Sequence, residues 1–219
     1  MRPTIPRTLT STRMLGTGLV IGALAVTLMA LLIPVQSFGS GSAAAAGGQG
    51  FDDDGLGTVS TPYGPLSPLD RDFVRRVRLA GLWELPAGRE AQQRGEREQR
   101  EAIKNAGDHL VMGHTDLDRR ALKAGEMLGI PLPNRPTAQQ QGWLDQMQAA
   151  QGIQYEQLFA NLLRAAHGKV FTVIAQVRAQ SRNSMVRALA TVTNSVVLDH
   201  ITVLEETGMV DFDALNEGK

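Results

Sequence analysis

Four times between Leu69 and Glu206 the apolar side chains return every three or four residues over a long stretch, and nowhere does apolar alternate with polar. That period lays the apolar groups along one stripe of a helix and leaves no candidate for a half-buried strand. The first stripe runs through Phe73, Val77, Ala80 and Gly81, behind Ser67, Pro68 and Asp70, which are a cap, a proline at the first helical position and an acid in the first turn. Pro86 is expected to kink this helix or end it early. The second helix spans about Glu98 to Leu128 with Ile103, Ala106, Leu110, Leu117, Ala121, Ala124 and Leu128 on its stripe, and stops at Gly129 before Pro131. Thr137 and Gln140 form a capping box that opens a short helical stretch reaching about Ala150, and Gly152 interrupts it. The third main helix presents Tyr155, Phe159, Leu163, Val170, Ile174 and Val177. The fourth, from about Ser184 to Glu206, presents Met185, Leu189, Val192, Val196 and Val203, with Gly208 as its stop. Residues 67–208 therefore read as an all-α four-helix bundle, followed by a tail over 209–219.

Each stripe carries one polar exception. Glu84 continues the first, His114 lies between Leu110 and Leu117, His167 between Leu163 and Val170, and His200 between Val196 and Val203. Buried polar groups cost a few kcal/mol unless they find partners, so four inward-facing ones are most simply satisfied by one another. Helix rise tests whether they meet. Glu84 lies ~24 Å from the start of its helix and His200 ~24 Å from the start of its own, while His114 and His167 lie ~21 and ~20 Å from the ends of theirs. These heights coincide when the second and third main helices run parallel; strict up-down-up-down order would leave His200 about 10 Å out of plane. The stretch from Gly129 to Gly152 is long enough to be the crossover this needs. One long crossover is the ferritin-like arrangement.

Ahead of the bundle, no residue from Met14 to Ile33 is charged, and Arg2, Arg7 and Arg13 precede them. At ~1.5 Å per residue such a segment matches the ~30 Å of a bilayer core. The arginines orient it with its following residues outward. Residues 1–46 are thus a signal peptide, with Ala43 to Ala46 as small residues for cleavage, or an N-terminal membrane anchor. Either way the bundle is expected on the extracytoplasmic side, secreted or membrane-anchored. Gly, Ser and Ala dominate from Ser37 to Gly50, and Asp52, Asp53 and Asp54 follow between glycines as a solvated acidic tract, so residues 47–66 read as a flexible linker. The chain carries 22 basic and 22 acidic side chains, and three of the basic ones lie in the leader, so the body is mildly acidic. With export, that argues against nucleic acid as a partner and reads Arg71, Arg75, Arg76 and Arg78 as a solvated face or a contact to anionic lipid. His109, off the stripe beside Asp108, reads as a solvated surface residue. Cysteine is absent, which removes disulfides and thiolate chemistry.

From Asp70 to about Glu206 the chain resembles an exported bacterial family of unknown function whose members commonly carry the label "predicted outer membrane protein". These are ferritin-like four-helix bundles with one buried histidine in each of three helices. The resemblance rests on Asp72-Phe73-Val74, Trp83-Glu84-Leu85, Leu110-Val111-Met112-Gly113-His114, Tyr155-Glu156 leading to His167, and Leu198-Asp199-His200. The acid that usually precedes the second-helix histidine is Gly113 here, which counts against a metal. Pro86 replaces a glycine and Ser195 a proline. The family implies no established activity.

Three histidines and a glutamate suit a single Zn, Cu or Fe ion. The same groups also make a hydrogen-bonded polar layer that fixes helix register. A di-iron oxidase fits poorly, because the carboxylates it needs three residues before its histidines are Val111 and Val197 here. No nucleophile elbow or phosphate loop occurs. The sequence therefore reads as a non-enzymatic envelope or secreted bundle acting through structure or a protein partner, with mononuclear metal binding or storage through Glu84, His114, His167 and His200 as the alternative.

Overall fold

The computed structural model describes residues 51–216. The leader, with its expected signal or anchor, lies outside the described residues, as do the start of the linker and the last three residues. Among the described residues six helices follow one another: α1 (Pro68–Arg97), α2 (Glu101–Leu128), α3 (Ala138–Ala149), α4 (Gly152–Gln180), α5 (Ser184–Glu205) and α6 (Phe212–Asn216). Among the described residues there is one isolated antiparallel bridge, Val59 with Leu66, and no strand. No described helix is long and apolar enough to cross a membrane.

The ends of the helices follow the sequence signals. Ser67 and Asp70 close a reciprocal capping box on α1, Thr137 and Gln140 do so on α3, and Asn183 caps α5 through the backbone N–H groups of Met185 and Val186. Gly129 ends α2 in the left-handed region at φ 65°. Pro86 does not end α1. Its ring removes one hydrogen bond, but the turns around it bury Trp83, Ala87 and Ala91 almost completely, and that packing carries the helix on to Arg97.

The four long helices are ordered up, down, down, up. Short turns join α1 to α2 and α4 to α5, making two antiparallel hairpins. The Arg78 guanidinium donates to the Pro133 carbonyl at 3.2 Å, which fixes the exit of α2 beside the early part of α1. Arg94, near the far end of α1, donates to the Ala150 carbonyl at 2.8 Å and lies 4.1 Å over the Tyr155 ring at the entrance to α4. Residues 129–151 therefore run the length of the bundle, with α3 inside them, and α2 and α4 are parallel. This is the single long crossover expected from the heights. Trp143 of α3 packs on Trp83 of α1 with ring centres 5.0 Å apart.

The core has two apolar halves. One gathers Leu66, Phe73, Val77, Leu117, Ile174 and Val186 around the beginning of α1; the other gathers Trp83, Leu110, Tyr155, Phe159, Leu163 and Leu204 toward its end. On α5 the innermost track is one residue away from the expected stripe: Val186, Thr193 and Val197 are buried, whereas Met185, Val192 and Val196 sit at its edge.

Residues Asp54 to Leu66, which composition assigns to a flexible linker, lie fastened on the bundle. Leu66 is buried in the first half-core, and the Asp54 carboxylate accepts from Arg71 Nε at 2.7 Å and from Arg75 at 2.8 Å. The basic run on α1 is accordingly not a solvated face. Arg71 and Arg75 hold Asp54, Arg76 pairs with Asp72, and Arg78 pairs with Asp118. The tail is likewise tied down as far as α6, where Asn161 of α4 accepts from the Asp211 N–H at 2.7 Å and donates to the Met209 carbonyl at 2.9 Å.

Candidate metal centre

Between the two apolar halves, Glu84 of α1, His114 of α2, His167 of α4 and His200 of α5 converge. One potential ligand atom from each lies within 4.8 Å of those of the other three, and all four residues are buried. Among the described residues no other group of three or more such side chains gathers this way. The parallel course of α2 and α4 brings them to one height, as the helix rise requires.

His114 Nε2 donates to Glu84 Oε2 at 2.8 Å, His167 Nε2 lies 3.3 Å from the same oxygen, and His167 Nε2 lies 2.9 Å from His200 Nδ1. The far nitrogens of the last two rings face backbone carbonyls: His167 Nδ1 meets the Leu163 carbonyl at 2.8 Å, and His200 Nε2 meets the His109 carbonyl at 3.1 Å. A carbonyl oxygen only accepts, so those two nitrogens carry the protons. Burial, with Glu84 opposing it, holds the His167 imidazole below its ordinary range. Burial, then the His114 and His167 charges, pushes His200 down to about 2. Both rings are therefore neutral at neutral pH, with one proton each. It follows that His167 Nε2 and His200 Nδ1 turn lone pairs toward each other at hydrogen-bond distance with no proton between them.

Glu84 adds to the imbalance. Burial pushes its carboxyl up, but the His167 and His114 charges and the His114 hydrogen bond outweigh that, so the group stays below its usual range and is a carboxylate at neutral pH. Among its neighbours His114 donates a hydrogen bond to this buried carboxylate, and a buried carboxylate is costly where its pairing is incomplete. His114 Nδ1 is also buried without a hydrogen-bond partner in the protein. Around a single ion with ligand bonds of about 2.0–2.1 Å, tetrahedrally arranged donors stand ~3.3 Å apart, so modest closure of this group surrounds one cation.

Two residues matter that period alone does not identify. His109 supplies the carbonyl that orients His200, and its ring meets Asp199 at 2.8 Å, tying α2 to α5 rather than standing free in solvent. Gly113 makes room for His200. A Cβ there would overlap His200 Nε2 and lie 2.7 Å from Val196 Cγ1 and 2.8 Å from His200 Cε1. Any side chain at position 113 would have to displace the His200 ring from this seat. The sequence signal was present, a glycine immediately before an inward histidine.

The model of the domain-of-unknown-function family DUF4142 matches residues 58–206. No curated protein and no solved structure matches the chain.

Proposed function

The chain belongs to the DUF4142 family, and we propose that it binds a single transition-metal ion through Glu84, His114, His167 and His200. The observation that carries this reading is the pair of lone pairs on His167 Nε2 and His200 Nδ1, 2.9 Å apart, each fixed by a proton committed to a backbone carbonyl on the far side of its ring. Metal-bound histidines are oriented in this way, with the second nitrogen donating to a carbonyl or carboxylate. A divalent cation answers both deficits at once, since it takes the lone pairs and balances the Glu84 carboxylate. Neutral imidazoles with one carboxylate suit Zn, Cu or Fe.

Metal analysis by mass spectrometry tests this on protein purified without chelators or a histidine tag. The expected result is close to one transition-metal ion per chain as purified, and much less in His114→Ala, His167→Ala or His200→Ala, whose weakened sites fill only with added metal. A folded protein that stays empty and refuses added Zn, Cu and Fe would return the four residues to a register-fixing layer. The same proposal sets the bundle outside the cytoplasm, supported by the uncharged run from Met14 to Ile33 behind three arginines. Fractionation of cells making the whole chain checks that, and recovery from the cytoplasm alone would refute it.

A further inference from the structure

One helical turn from the four ligands, toward the start of α1, the bundle axis is crossed by Ala80, Leu117, Val170 and Val197. This layer does not close against the ligands. A cavity of about 30 Å³ lies there, and Glu84, His114 and His167 form part of its wall. The other polar wall residue, Thr193, has its hydroxyl donated to the Leu189 carbonyl at 2.9 Å. A cavity needs roughly 10–15 Å³ to hold one water, and an apolar one stays dry unless its occupant finds polar partners. Here the partner on offer is whatever the ligand set holds.

Resting on the metal reading above, we infer that the ion keeps an open coordination position facing this cavity and takes there an uncharged ligand of one or two heavy atoms. Four donors fill a tetrahedral ion, but iron and copper accept a fifth or sixth ligand, and since Glu84, His114 and His167 form part of the cavity wall, the position left over faces the cavity. The apolar walls turn away an anion, which would lose its hydration without replacement, and the volume turns away anything larger. A surface groove of about 370 Å³ between α1, α3 and α4 shares Ala80, Glu84, Ala166 and Val170 with the cavity. Small residues thus form part of the wall between cavity and solvent, on the face where neighbouring long helices touch least. That face is the entry route.

Nitric oxide is the probe, added anaerobically to the full-length protein loaded with Fe(II), with iron counted in the same samples. The expected result is the half-integer-spin EPR signal of an iron nitrosyl in proportion to bound iron. In Ala80→Leu, which fills the cavity, the signal per iron should fall at least tenfold with iron retained, and in Ala80→Val it should fall partway. Iron bound without a nitrosyl signal overturns the open position and leaves metal binding standing. An undiminished signal per iron in both variants overturns the cavity as its location. Failure to take up any transition metal overturns the metal reading itself.

Discussion

Arg71 and Glu84 lie on the same helix and are both almost wholly removed from water, at 3% and 4% exposure, yet their surroundings differ. Arg71 meets a full set of acceptors: both oxygens of Asp54, the Gly57 carbonyl at 2.8 Å and the Leu66 carbonyl at 3.2 Å. The carboxylate it faces is held far below the usual range by the Arg71 and then the Arg75 hydrogen bond. Charge and hydrogen-bond capacity both balance, and the result fastens the segment before α1 to the bundle. Glu84 faces three imidazoles, two of which commit their protons elsewhere. The first arrangement is complete as built; the second leaves facing lone pairs and an unpartnered His114 Nδ1, the deficit that the proposed cation answers. A buried charge that is fully partnered explains a fold, and one left short of positive charge points to a ligand.

The sharpest break between the two regions is metal itself. At free metal about 1,000 times Kd, binding adds about 4 kcal/mol to stability, or on the order of 10 °C in Tm for a domain of this size. Scanning calorimetry should record that rise in the unaltered protein and in Arg71→Met, and none in His167→Ala. A comparable rise in His167→Ala would separate metal from the cluster.

Acid separates the regions next. In metal-free protein the unfolded imidazole of His200 takes a proton near 6.5 while the folded one does not, so the unfolded state binds more protons below that pH. This contribution to stability is present above pH 6.5 and is lost as pH falls. By pH 4.5 the loss should reach about 2–3 kcal/mol for this one ring. Asp54, with its pKa depressed, contributes above the pH where an unfolded aspartate titrates, and that contribution is lost only as pH falls through its lowered folded value. Urea unfolding of metal-free protein across pH 7 to 4 should therefore weaken already below 6.5, and His200→Leu should flatten that slope. A slope unchanged by the substitution would contradict the neutral, proton-poor ring.

How much of this was legible in the residues follows from what each signal depends on. Glu84, His114, His167 and His200 stand out because helical period alone predicts which way a side chain faces, and the crossover follows because their heights agree in one topology only. The fastening of Asp54 was not legible, since a Gly-rich acidic stretch has no pattern that names a partner 17 residues away. Pro86 obeys its local preference only until packing of Trp83, Ala87 and Ala91 overrides it. On α5, the pairs Met185 and Val186, Val192 and Thr193, and Val196 and Val197 let two tracks one residue apart fit the same period, and only the facing helices choose between them. The carbonyls that set the imidazole protons belong to the backbone and have no sequence signature at all.

Gly113→Ala probes a link between ligand and packing without removing a ligand atom. The added methyl forces His200 from its seat, so metal affinity should fall roughly 10- to 100-fold, the range seen when supports of metal-bound histidines are altered. Competition with a chromophoric chelator measures it, and unchanged affinity would mean that His200 does not bind the ion. The smallest effect belongs to Arg71→Met, which should lower stability by roughly 1–2 kcal/mol because Asp54 keeps some contact with water and a second arginine. Chemical denaturation reads the loss, and the metal titration of this variant should match that of the unaltered chain.

X-ray absorption at the zinc edge of the zinc-loaded protein tests the central claim most directly. The account predicts outer-shell scattering from three imidazoles with nitrogen and oxygen neighbours at about 2.0–2.1 Å, reduced to two imidazoles in His200→Ala. A spectrum of oxygen neighbours without imidazole scattering, or one indifferent to loss of His200, would contradict it.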